Sequence, residues 1–285
     1  MLPLLMLVHS VISAGTYLAA KRGLAELGPI ELALARFAFA AGIYVLLVVR
    51  SRVRVERADW RRVLLLGFLG VCANQLLFLT GMRLTTPGHG ALLYALTPVF
   101  VFLIAWVRGS ERASGGRVGG ILLAFAGTAV VLLSRGMLAP GGSSALKGDL
   151  VVLGGVLAWS AFAVGGKRMA EKYGPTAGSG WALLVGTALY LPFGLAFADF
   201  GSFATLSPGG WAAVAYLVLV TNVLGWLVYA SALARADASR VAVWSNLQPV
   251  LTALASWWLY AEALTPSFVA GGAMVLLGVW LTERA

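Results

Sequence analysis

Residues 243–262 read VWSNLQPVLTALASWWLYAE, and the reading of this stretch decides the fold. It is apolar enough to cross a bilayer, yet Ser245, Gln248, Thr252 and Ser256 recur at spacings of 3, 4 and 4. On a helix that spacing puts all four on one face. Pro249, in the middle of the run, removes one backbone hydrogen bond and loosens the helix locally. Such a stripe must meet protein, water or a solute, because lipid offers an amide no partner.

Much of the stretch occurs twice. Leu96, Pro98 and Val99 fall on Leu247, Pro249 and Val250 at a shift of 151, which also carries Glu111 onto Glu262 and Gly127 onto Gly278. Lys21–Arg22 followed by Gly28–Pro29 recurs as Lys167–Arg168 followed by Gly174–Pro175, at a shift of 146. Ten apolar runs of about 18–22 residues, each enough for roughly 30 Å of hydrocarbon, can be drawn at 2–21, 30–50, 61–81, 88–108, 116–134, 148–168, 178–198, 209–231, 240–260 and 266–283. They group as a first five-helix repeat at 1–137, a linker at 138–147 and a second repeat at 148–285, and residues 135–147 have loop composition. Five is odd, so the second copy enters the membrane from the opposite face. The expected fold class is therefore all-α integral membrane, with ten transmembrane helices as two inverted five-helix repeats.

Composition agrees: 60% hydrophobic against 11% charged residues is more apolar surface than a soluble domain of 285 residues can hide. The net charge of +10 is not a nucleic-acid footprint, since Lys and Arg sit in short links between apolar runs. Counted by side, fifteen of them fall with the two termini and five on the other face, which predicts a multi-pass cell (inner or plasma) membrane protein with both termini cytoplasmic. Cys72 is the sole cysteine, so no intrachain disulfide forms. The N-terminal run lacks a basic n-region and is too long for a signal h-region, so it reads as the first span.

Trp159 eight positions before Lys167, the SNLQP run ending at Pro249, Glu262 thirteen residues later and Gly278, with Pro98, Glu111, Gly127 and Lys21 in the first half, resemble the EamA-type branch of the drug/metabolite transporter superfamily. The likeness spans essentially the whole chain. It implies a ten-helix exporter with a central cavity formed by spans 1, 3, 4, 6, 8 and 9, moving small metabolites, amino acids or drugs. In one place the sequence departs from that pattern: Ser13 stands where the first copy would repeat Trp159.

The candidate substrate-binding residues follow from polar and aromatic faces at bilayer depth. Span 1 offers His9, Ser13 and Tyr17; span 3, Asn74 and Gln75; span 4, Tyr94 and Thr97; span 6, Trp159 and Ser160; span 8, Asn222 and Trp226; span 9, Trp244, Ser245 and Gln248. For any one of them, bonding between helices is the competing reading. His9 either titrates against cargo, which would couple transport to protons, or stays neutral against a neighbouring helix. His89 reads as an end residue of span 4. Arg36 lies about 9 Å inside span 2; it either meets a cargo carboxylate or, the preferred reading, reaches the outer headgroups or pairs with Glu31. Pro98 and Pro249 are the expected flexible points. Glu111 and Glu262 end spans 4 and 9, where an anion faces its own helix's carbonyls; each should be held by a cation or a helix N-terminus across its gate, Glu111 by Arg112 or Arg117. Gly116, Gly120 and Ala124 on span 5, with Gly271 and Gly278 on span 10, form small-residue ridges that either pack within the chain or make a homodimer seam.

All eleven acidic residues lie in links or near span ends, which argues against a carboxylate-based exporter of cations and for neutral or zwitterionic cargo. The sequence therefore predicts a secondary carrier exporting small metabolites such as amino acids, with a multidrug exporter of aromatic or cationic compounds as the alternative. There is no metal-spaced His/Cys/Asp set, catalytic triad or phosphate-cradling loop, so no enzyme, metal or cofactor is expected. A channel is disfavoured by the lack of a filter sequence. The expected partners are a small-molecule substrate and the lipid bilayer.

Overall fold

The computed structural model describes residues 2–84, 93–134, 142–248, 250–251 and 266–285. Pro249, Thr252, Ser256, Glu262 and His89 lie outside the described residues. Every regular element described is helical. The first two are α1 (Leu2–Leu24) and α2 (Pro29–Ser51), which starts with proline in its first turn, where the missing N–H costs nothing.

The third span is composite: α3 (Trp60–Gly67), a π-helical segment (Phe68–Ala73) and α4 (Asn74–Leu84). The same device recurs as α8 (Pro208–Ala215), a π segment (Tyr216–Gly225) and α9 (Trp226–Leu233). A π segment carries an extra residue per turn and re-aims the side chains that follow it. Both lie where the 151-residue shift superposes them, and they flank Asn74, Gln75 and Trp226.

Two further apolar helices, α5 (Thr97–Val107) and α6 (Gly115–Ser134), follow. Pro98 is not in mid-helix: the chain turns at Ala95 and Leu96, and Pro98 sits in the first turn of α5. α7 (Gly142–Phe197) is two helices joined at Gly174, whose φ of 77° breaks the run just before Pro175. Its start at Gly142 makes part of the expected 135–147 loop helical. α10 (Ala238–Val243) tightens to a 3₁₀ turn at Trp244–Asn246, and α11 (Pro266–Arg284) ends the chain.

Five described helical stretches are long and apolar enough to cross a membrane, including Arg57–Leu84 and Pro208–Leu233. Many large apolar side chains on their outer faces, such as Leu46, Val49 and Leu195, are exposed, as lipid contact requires. The glycine ridges of α6 and α11 meet each other. A Cβ on Gly120 would lie 2.7 Å from the Gly278 carbonyl, and one on Gly127 would lie 2.6 Å from that of Gly271. The ridges therefore pack against each other within the chain, the first of the two readings offered for them.

Candidate functional site

A cavity of about 100 Å³ lies among the helices, room for several waters or a small organic molecule. α1 contributes His9, Ser13, Thr16 and Tyr17, and α2 contributes Arg36. Asn74, Gln75 and Phe78 come from α4, and Tyr94 and Thr97 flank the start of α5. The remaining wall includes Trp159, Thr221, Trp226, Tyr229, Ser245 and Gln248.

One side of the cavity is a hydrogen-bonded chain. The Arg36 guanidinium donates from Nη1 to Gln75 Oε1 at 2.6 Å and from Nη2 to Asn222 Oδ1 at 2.7 Å. Gln75 donates in turn to Asn74 Oδ1 at 2.7 Å, and Asn74 Nδ2 donates to Tyr94 Oη at 2.8 Å and the Gly155 carbonyl at 2.9 Å. Arg36 is only 1% exposed, and its Nε finds no acceptor among the described residues. Further along, Thr16 and Thr221 share a hydrogen bond of 2.9 Å. His9 has both nitrogens engaged, Nδ1 with the Gly225 carbonyl at 3.3 Å and Nε2 with Ser13 Oγ at 3.2 Å.

A second part of the lining is aromatic. Trp159 stacks on Phe162 with centroids 5.1 Å apart and lies 5.2 Å from Tyr229 and 6.2 Å from Trp226. A polar network with a buried cation and an aromatic cluster thus border one space of small-molecule size.

Residues 2–133 and 146–284 each match the model of the EamA-like transporter family. The chain belongs to that family. Among its relatives, an uncharacterized transporter of Archaeoglobus fulgidus is 30% identical over 98% of this chain and 96% of its own length. A protein of Streptantibioticus cattleyicolor described as a "probable terminal-alkyne amino-acid exporter" is likewise 30% identical, over 98% of this chain and 92% of its own. A solved crystal structure with a TM-score of 0.78 covers 99% of this chain and 97% of that one at 19% identity, a likeness of fold. The EamA-like chain is thus a multi-pass membrane transporter and not an enzyme.

Two networks tie the halves of this EamA-like protein together. Glu111, buried to 2% at its side chain, accepts from Arg117 Nη1 at 3.2 Å, from the Ser239 backbone N–H at 3.1 Å and from the Ser239 hydroxyl. It is thus held by a cation and by the N-terminal turn of α10. Arg117 reaches on to Asp237 at 3.1 Å, and Lys167 donates to the Ala236 carbonyl at 2.7 Å. Apart from that network, Lys172 bonds Glu56 at 2.8 Å and Asp59 at 2.7 Å. The second network joins Glu26 to Ser207, whose N–H and hydroxyl both donate to it at 2.7 Å, with Arg22 at 2.6 Å. Those Ser207 bonds hold the Glu26 carboxyl below the usual carboxylate range.

The predicted residues divide. His9, Ser13, Tyr17, Asn74, Gln75, Tyr94, Thr97, Trp159, Trp226, Ser245 and Gln248 line the cavity together. Three do not. Asn222 stands behind Arg36, and Ser160 is fully buried and donates to its own helix at the Val156 carbonyl, 2.8 Å away. Trp244 packs against the apolar clusters around Phe102 and Val241, and its carbonyl accepts from Ser10. Neither structural role expected of Arg36 is realised. It reaches no headgroup, and Glu31 instead accepts from the Asp199 backbone N–H at 2.7 Å. Phe78, absent from the candidates, lies three positions after Gln75 on the same helical face, a signal the sequence held.

Proposed function

We propose that this chain is a secondary transporter of the cell membrane that exports small amphipathic metabolites, amino acids foremost, by alternating access through the cavity. The carrying observation is the cavity's mixed lining: the first half supplies a buried cation with its amide partner Gln75, and the second half supplies the clustered aromatics Trp159, Trp226 and Tyr229. The relative described as an amino-acid exporter points the same way. In this reading ten spans form two inverted halves, 1–137 and 148–285, joined by 138–147, with both termini cytoplasmic. Contacts repeated at the 146 and 151 shifts support the inversion: Asn74 meets Gly155, and Gly225 meets His9. The Glu111–Arg117–Asp237 network then closes the cytoplasmic side and the Glu26–Ser207 contact the outer side. Breaking one while the other holds opens the cavity to one face at a time.

The test is counterflow in proteoliposomes. Internal unlabelled amino acid should accelerate the entry of external label and saturate with concentration. Entry that ignores internal substrate, or that never saturates, would refute a carrier.

A further inference from the structure

We infer that Arg36 is the receptor for a substrate carboxylate, so that the cargo of this site is a small apolar monocarboxylate whose amino group is dispensable. The inference rests on the carrier reading above and sharpens its substrate class. Three observations lead to it. Arg36 lines the cavity, is 1% exposed, and has no carboxylate partner among the described residues. Its two described partners are neutral amide oxygens, which orient a guanidinium without cancelling its charge. Its Nε, one edge of the donor fork, is buried with no acceptor there. A carboxylate fits that edge side-on, supplying both the missing acceptor and the missing negative charge.

The rest of the lining fixes the other end of the molecule. No Asp or Glu lines the cavity among the described residues, so nothing there balances an ammonium group. The aromatic wall of Trp159, Trp226 and Tyr229 takes an apolar tail instead. A zwitterionic amino acid is accepted for its carboxylate and its side chain; an amine or an amide of the same shape is refused.

The experiment uses four probes that carry the same branched apolar tail: leucine, 4-methylpentanoate, 3-methylbutylamine and leucinamide. Thermal melting of the full-length protein in detergent reads binding, and counterflow of labelled leucine reads transport. Leucine and 4-methylpentanoate should bind within about tenfold of each other, with the amine and the amide weaker by at least about tenfold. Chloride and inorganic phosphate should not compete. Because removing the guanidinium risks misfolding, the decisive variant is Gln75→Glu, which sets an internal carboxylate against Arg36. It should melt at or above the wild-type temperature yet lose leucine and 4-methylpentanoate binding by at least about tenfold.

Leucinamide or the amine competing as well as leucine, Gln75→Glu keeping full carboxylate affinity, or equal competition by chloride or phosphate would each overturn the assignment. In those cases surviving counterflow leaves the carrier reading intact. Absence of counterflow with all four probes, together with no melting shift, removes both.

Discussion

The two halves of the chain make the same joints with exchanged chemistry. At the 146 shift Glu26 corresponds to Lys172, and at the 151 shift Glu56 corresponds to Ser207. In one half Lys172 donates to the Glu56 carboxylate; in the other Ser207 donates to the Glu26 carboxylate. Thr16 bonds Thr221, and at the equivalent place the Phe162 ring lies 2.9 Å from where a Cβ on Gly70 would be. Arg36 corresponds to Ala182, and its partner Gln75 to Trp226, so a charged hub in one half is an apolar pocket wall in the other. The repeat fixes where helices touch. The departures from it give the cavity its polar and aromatic sides, and an amphipathic cargo is what such a lopsided space holds.

The comparison can be broken at its most unequal point. Arg36→Met keeps the bulk and removes the charge, making the first half as apolar as the second. Transport should fall by roughly 100-fold, the worth of about two charge-assisted hydrogen bonds, in counterflow at subsaturating substrate. Glu111→Gln comes next. It leaves Arg117, 8% exposed at its side chain, with Asp237 as its remaining carboxylate partner among the described residues, and should lower unfolding stability by about 2 kcal/mol. Glu56→Gln, whose carboxylate is 63% exposed, should leave the melting temperature unchanged.

Gly120→Val forces a side chain against the Gly278 backbone and should cost about 2 kcal/mol. Gly119→Val, with nothing within 4 Å, is the matched control and should cost little. The smallest effect is that of pH on the Glu26 joint. A carboxyl held below its ordinary range adds stability above the unfolded pKa and loses it as pH falls through the folded value. Glu26→Gln should therefore flatten the acid limb of the melting profile, lowering the melting temperature slightly at neutral pH and leaving it near wild type at acid pH.

Helices, repeat and most of the cavity lining were legible because each depends on spacing within one segment. Periodicity placed Ser245 and Gln248 on one face, and the 151-residue shift paired Tyr94 with Ser245. Ser160 and Trp244 failed because each is one residue, about 100° of helical turn, from a lining neighbour, and apolar runs give no signal to choose between them. Arg36 failed differently. Its fate depends on partners 39 and 186 residues away, which no local pattern announces. The π segments were equally silent, since neither carries a proline or a motif that sets it apart from ordinary helix.

Accessibility of the cavity from each face tests the account most directly. Ser13→Cys in a Cys72→Ala background puts a thiol on the lining, and a membrane-impermeant maleimide can be offered from outside or inside oriented vesicles. Alternating access predicts labelling from either face, with Glu111→Gln raising the inside rate and lowering the outside rate. Labelling confined to one face in both proteins, or a Glu111→Gln variant that raises both rates together, would contradict it.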